Sequence, residues 1–182
     1  RGSGLCQDCR GRLRFLGQAD PLPAAWAAVA YEGPARALVS ALKFRGATAL
    51  ARELAALIAA NAPPGLLAGT LVAVPLHPAR QRARGFNQAA LIADALAART
   101  GLPRSDPLIR AGPDVRQVGR DRSARLRGPL GLLRARGPVP AQALLVDDVV
   151  TTGATMAACA AVLRAAGSER VTAVAFARTA GR

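Results

Sequence analysis

The chain has few of the residues that most often announce a function. Histidine occurs once, at His77, and cysteine three times, at Cys6, Cys9 and Cys159. That inventory excludes a disulfide framework and a histidine-rich metal centre within these 182 residues. Aromatic residues are equally scarce: four Phe, one Tyr and one Trp. Rows of aromatic platforms, the usual device of sequence-tolerant single-strand binders, are therefore not expected, and any binding of nucleic acid should be electrostatic. No window of about 18 residues is both apolar and uncharged, so no membrane span is expected. Signal peptides and lipidation motifs are also missing, which makes a cytoplasmic location the expectation. Arg1-Gly2-Ser3-Gly4 opens the chain without a methionine, as expected of a trimmed piece.

Acidic residues are outnumbered, 11 against 25 basic ones, giving a net charge of +14. A field of that sign attracts phosphates and polyanions. Lys43 is the only lysine, however, and every other basic residue is arginine. With abundant Ala, Gly and Pro, this reads as the codon bias of a GC-rich genome, so where the arginines sit matters more than their number. What the chain does have is apolar mass, 51% of residues with a mean hydropathy of +0.20. That suffices for the core of one domain and excludes a disordered chain.

Residues 1–23 lack apolar periodicity and end at Pro21 and Pro23, which predicts a small N-terminal element before a main domain at 24–182. Trp26–Tyr31 reads as a strand, and Ala35–Phe44 and Leu50–Ala60 as helices with leucines at three- and four-residue spacing. Leu71–Leu76, Ala143–Val146 and Val171–Phe176 are continuous apolar strands. Helices are expected at about 87–98 and up to about Ala166. This alternation predicts an α/β fold with a parallel sheet flanked by helices, whose ligands bind at the carboxyl ends of the strands. Residues 103–140 are irregular and rich in Arg, Gly and Pro, too long for a simple turn.

The sharpest local signal is Ala143-Leu-Leu-Val-Asp147-Asp148-Val-Val-Thr151-Thr152-Gly153-Ala154-Thr155. A buried strand delivers two carboxylates, and a hydroxyl-rich turn then opens a helix. Backbone N–H groups at such a helix start, with the threonine hydroxyls, form an anion site. Carboxylates repel phosphate but accept hydrogen bonds from vicinal hydroxyls. A ligand with a phosphate and a diol a few ångströms apart satisfies both, and a ribose 5-phosphate is such a ligand. The competing reading is that the two aspartates only cap the helix.

A second segment runs Val72-Ala-Val-Pro75-Leu76-His77-Pro78-Ala-Arg80-Gln-Arg82-Ala-Arg84-Gly85-Phe86-Asn87-Gln88. A strand ends near Pro75, and three arginines precede a helix whose N-cap is Asn87. Guanidinium forks grip phosphate oxygens in pairs; the alternative is a solvated basic turn. For His77 two readings stand, a general base or a structural hydrogen bond. Lys43 either reaches a phosphate or complements its helix dipole. Cys159, among Ala and Val, reads as a small core residue.

The Ala143–Thr155 stretch resembles the phosphoribosyl-pyrophosphate (PRPP) motif of type I phosphoribosyltransferases. With Tyr31-x-Gly33, Leu42-Lys43-Phe44-x-Gly46, the Pro75–Gln88 segment and Gln117…Arg125, the chain from Cys6 to Thr179 resembles the competence-associated ComF family. The resemblance implies a type I phosphoribosyltransferase fold and a link to DNA uptake, with transfer of phosphoribosyl to an acceptor. It implies that Asp147 and Asp148 hold the ribose hydroxyls of PRPP as the catalytic pair. Thr151, Thr152, Gly153, Ala154 and Thr155 would cradle its 5-phosphate, and Pro75, Leu76, His77, Arg80 and Arg84 would meet pyrophosphate. Lys43, Gln117, Arg122 and Arg125 become contacts to phosphate or nucleic acid. The implied cofactor is Mg²⁺ with PRPP, and the implied partners include single-stranded DNA and competence proteins. The family opens with a four-cysteine zinc knuckle, and Cys6-x-x-Cys9 matches only its second half. The chain also departs from the family at Gly128, where an asparagine is usual.

Overall fold

The computed structural model describes residues 5–17, 25–110 and 133–180. Five strands make the central sheet: β1 (Trp26–Ala30), β2 (Thr70–Ala73), β3 (Arg104–Ser105), β6 (Gln142–Val150) and β7 (Arg170–Arg178), in the order β1-β7-β6-β2-β3. All four pairings are parallel. The strands are apolar without alternation because both faces are covered: Val29, Leu71, Val72, Leu144, Leu145, Val174 and Phe176 are all fully buried. Each such side chain contributes about 1.5–3 kcal/mol by leaving water.

The helices are α1 (Gln7–Gly11), α2 (Gly33–Phe44), α3 (Leu50–Asn61), α4 (Pro78–Arg84), α5 (Gln88–Thr100) and α6 (Ala154–Ala165). The expected α/β architecture is present, and α2, α3, α5 and α6 fall where the periodicity places them. Parallel crossovers are right-handed. From β1 to β2 and from β2 to β3 the chain moves one way across the sheet, while β6 to β7 leads it back. Hence α2, α3 and α5 belong to one face and α6 to the other, and α3 packs on α5. The reversal falls between β2 and β6, which makes the gap above their carboxyl ends the topological switch point.

Several details differ from the sequence expectation. β2 stops at Ala73 rather than Leu76, because Pro75 has no N–H for the ladder; Val74 makes one last bond, donating to the Val146 carbonyl at 3.0 Å. β6 runs on to Val150 instead of ending at Val146, since β7 continues to pair with it at Asp147, Val149 and Val150. And the stretch 103–140, expected to be irregular, supplies β3 to the central sheet and pairs β4 (Leu108–Arg110) antiparallel with β5 (Leu133–Ala135).

At the other edge, residues 13–16 run beside β1: Ala30 donates to the Arg14 carbonyl at 2.8 Å and Leu16 to the Ala28 carbonyl at 3.0 Å. Leu13 is buried in the same core as the sheet. This segment covers an edge strand that would otherwise present unpaired backbone. Among the described residues no helix is long and apolar enough to cross a membrane.

Candidate functional site

Two connections meet at the switch point. On one side β6 turns through Thr151, Thr152 and Gly153 into α6. Gly153 is the N-cap, with φ of 76°, a left-handed conformation that a side chain would strain. It has no side chain with which to cap the helix, and Thr152 Oγ1 accepts only weakly from Ala154 N–H at 3.4 Å. Thr151 and Thr152 are exposed and Thr155 is half-buried. First-turn amides, the positive end of the α6 dipole and hydroxyls thus share one strand edge, the arrangement that receives an anion.

Because β6 continues through the acidic pair, Asp147 and Asp148 point to opposite faces of the sheet rather than side by side from a turn. Asp148, 2% exposed, lies on the α2/α5 face. Its Oδ1 accepts from Gln88 Nε2 at 3.1 Å, and Lys43 Nζ stands 2.5 Å from its Oδ2. That contact is a close ion pair rather than an aligned hydrogen bond, and Oδ2 has no other partner among the described residues. Asp147 Oδ1 accepts from the Asp148 N–H at 2.8 Å, while its charge is felt by Cys159 on α6. Burial of its carboxyl, followed by the neighbouring Asp148 charge, holds Asp147 well above the usual carboxylate range. Two adjacent acids therefore sit in unlike environments, one charge-paired and one favouring its proton.

On the other side, the expected loop after Pro75 contains a helix. In α4, Pro78 occupies the first turn, His77 is the N-cap and Gly85, φ 84°, ends it. Three arginines with no apolar residue larger than alanine concealed it, although proline at the start and glycine just past the end is a helix signature. His77 Nδ1 accepts from Ala79 N–H at 3.2 Å, capping α4. Arg80 and Arg82 are exposed, and Arg80 shares a helix face with Arg84 four residues on. Arg84 Nη1 donates to Gln88 Oε1, and its guanidinium lies over the Phe44 ring, 5.4 Å from the centroid. Asn87 caps α5 by accepting from Ala89 N–H at 3.1 Å, and its Nδ2 donates to the Val74 carbonyl at 3.0 Å.

The structure thus brings Asp148, Lys43 and Arg84 into one network and sets the Thr151–Thr155 turn and Pro75–Arg80 along the same edge. Gln117, Arg122 and Arg125 lie outside the described residues. Sequence reasoning missed Gln88, whose signal is a polar residue in the first turn of a helix buried against the sheet; it is 6% exposed. It also missed Phe44 as a neighbour of the arginines, since the two are remote in sequence. Below α4 opens a cleft of about 550 Å³, lined by Pro75, Leu76, Pro78, Asn87, Asp106 and Arg110 among others.

Metal donors differ in fit. Both Asp148 oxygens are engaged, so the acidic pair makes no ready cage for Mg²⁺; a magnesium ion here would rest on ligand phosphates and water, as this ion commonly does. At the N-terminus, Cys6 caps α1, its Sγ accepting from Cys9 N–H at 3.4 Å, a contact that lowers the Cys6 thiol. Two thiols on one helical turn suit half of a tetrahedral zinc site. No cluster of three metal-ligating side chains occurs among the described residues. Cys159 is fully buried and its thiol is pushed up to about 12, chiefly by burial, so it is an inert core residue.

No family model matches the chain. Similarity to curated proteins is clear. Competence protein F of Haemophilus influenzae is 30% identical over 152 residues, covering 78% of this chain and 66% of that protein. The DNA utilization protein YhgH of Salmonella typhi and that of Salmonella typhimurium are each 36% identical over 149 residues, again 78% of this chain and 66% of theirs. The chain thus spans about two thirds of the length of these relatives. With this similarity along most of its length, the chain belongs to the ComF family.

Proposed function

We propose that the crevice binds PRPP with Mg²⁺, and that the chain is a type I phosphoribosyltransferase-like protein serving DNA uptake. The observation that carries this reading is the meeting of an amide-and-hydroxyl turn, a guanidinium helix and a buried carboxylate at one switch point. The Thr151–Thr155 turn would receive the 5-phosphate through amide donors and hydroxyls. Asp148 would exchange its Lys43 and Gln88 partners for ribose hydroxyls, releasing the ammonium toward the ligand's phosphates. Arg80 and Arg84 would neutralise pyrophosphate, which departs with the electron pair of its bond to the anomeric carbon as an acceptor's lone pair bonds there. Mg²⁺ supplies further neutralisation of the leaving group. The side chains position and neutralise, a contribution that depends on holding reactants in register.

Calorimetric titration of Mg²⁺-PRPP tests the reading. Asp148→Asn is expected to weaken binding at least about tenfold, the effect of losing a charge-assisted hydrogen bond worth ~1.5 kcal/mol or more. Thr151→Ala with Thr152→Ala serves as a second variant, because both residues are exposed and, among the described residues, the contact of their hydroxyls is the weak one from Ala154 N–H. Equal affinities in wild type and both variants, or no binding by the wild type, would overturn it.

A second reading is a DNA-uptake component that binds single strands without chemistry; the relatives are named for competence and DNA utilization. Arg45, Arg80 and Arg82 are exposed cations for such a role. It requires a log–log salt slope of about −0.7 per phosphate neutralised. Binding that ignores salt, or none at low salt, removes it.

A further inference from the structure

Phe44 breaks the pattern of its helix. Leu38, Val39 and Leu42 are buried, whereas Phe44, the last residue of α2, is 75% exposed. Its nearest rival among the large apolar side chains described is Phe15, at 42%. A solitary exposed aromatic needs no explanation by itself. This one is held in place. The Arg84 guanidinium lies over its ring, Arg84 bonds Gln88, Gln88 bonds Asp148, and Asp148 pairs with Lys43, the residue before Phe44. The circuit closes on itself and ties the cation that covers the ring to the buried carboxylate. Its immediate surroundings are cationic: Arg45 follows it, and Arg80 shares the face of Arg84; both are exposed. A planar apolar surface edged by guanidinium groups matches one kind of occupant, a flat aromatic ring that carries phosphate. Membrane lipid offers no plane to stack, and a basic protein surface would be repelled.

We propose that Phe44, backed by Arg84, is a stacking platform for a nucleobase at the mouth of the crevice. Base–aromatic stacking tolerates any base, and an arginine on the same ring adds cation–π attraction. The inference deepens the reading of the same crevice, since an acceptor or a single strand would reach the site over this ring. The base has two sources, a free nucleobase or nucleotide, or the bases of a single-stranded nucleic acid.

The test uses the full chain as wild type, Phe44→Leu and Phe44→Trp, with thermal melting as a check that the exposed substitutions leave the fold intact. A fluorescein-labelled oligothymidylate and an abasic deoxyribose-phosphate strand of equal length are titrated by anisotropy, and adenine and AMP by calorimetry. Phe44→Leu should weaken binding of a base-bearing probe roughly 5- to 150-fold for one stacked base, with Phe44→Trp restoring it and the abasic strand indifferent to both. Response of the oligothymidylate alone assigns the site to single strands, and response of adenine or AMP assigns it to small molecules. Equal binding of base-bearing and abasic strands, with adenine and AMP unaffected by the substitution, would overturn the platform. So would self-association abolished by Phe44→Leu in place of any base dependence. Mg²⁺-PRPP titrated into the wild type is read separately, so failure there removes the phosphoribosyl reading and leaves the platform standing.

Discussion

The two connections that face each other across the crevice hold their places by different means. Between β6 and α6 the chain needs only Thr151, Thr152 and Gly153, and what it offers is backbone: amides at a helix start, set by one left-handed glycine. Between β2 and α5 it takes the whole stretch from Val74 to Asn87, folds a short helix into it, and offers side chains on long stems. The first is pre-organised and carries no net charge of its own. The second carries charge whose position depends on partners, Phe44 and Gln88 for Arg84. A site built this way can keep a phosphate in fixed register on one side and adapt to a second anion on the other. Asp148 of β6 ties the two connections together: Gln88 links it to Arg84 on one side, and Lys43 of α2 balances its charge.

The largest effect should come from cutting that tie. Lys43 is 21% exposed and Asp148 2%, so the pair is mostly shielded from water. Removing the cation leaves a buried carboxylate with only Gln88, and breaking such a pair from one side costs on the order of 3 kcal/mol. Lys43→Met should lower stability by about that amount in urea denaturation, and the double variant with Asp148→Asn should recover most of it. A Lys43→Met protein as stable as wild type would mean that the ion pair is incidental to the fold.

Gly153→Ala comes next and acts on the pre-organised side alone. A left-handed conformation costs a residue with a Cβ roughly 1–2 kcal/mol, and the N-cap carbonyl of Gly153, which accepts from Ala157 N–H at 2.9 Å, moves if the backbone relaxes. Equilibrium denaturation should register the loss, and phosphate affinity should fall with it. Retained affinity in a destabilised variant would show that the hydroxyls, not the amide geometry, receive the anion.

The same contrast explains how much could be read beforehand. The parallel sheet, the four longer helices and the β6–α6 turn were legible because each is written locally: apolar runs, three- and four-residue spacing, a Thr/Gly cluster. That β6 continues past the aspartates was not, since it depends on Asp147 and Val149 meeting Ala175 and Ala177 of β7. Nor could the network be seen, because Lys43, the Arg84–Gln88 pair and Asp148 come from three segments remote in sequence. Only the fold makes them neighbours.

Asp147 sharpens the comparison between adjacent acids. Its folded carboxyl titrates above the unfolded one, so between those two values the folded state holds more protons and stability falls as pH rises. The loss is complete once the pH passes the folded value. For one proton the slope cannot exceed about 1.4 kcal/mol per pH unit. Asp147→Asn should flatten this part of a stability-against-pH curve measured from the ordinary carboxylate range upward. An unchanged slope would mean that the carboxyl is solvated and that the two aspartates are alike after all.

The smallest effect falls on Asn87, and it separates structure from charge on the arginine side. This side chain does two things at once: Oδ1 caps α5 through Ala89, and Nδ2 holds the Val74 carbonyl, one residue past the end of β2. Alanine removes both, at a cost near the typical ~1 kcal/mol for a lost N-cap. Aspartate keeps the cap and adds a charge that suits a helix N-terminus, but it has no N–H to donate to Val74. If the cap is what matters, Asn87→Asp should match wild-type stability while Asn87→Ala falls short of it. If the tether to β2 matters more, the two variants should be equally weak. In that case the long connection is anchored at the strand rather than the helix, and α4 with its arginines should lose its position in both variants, a change that hydrogen exchange of the α4 amides would report directly.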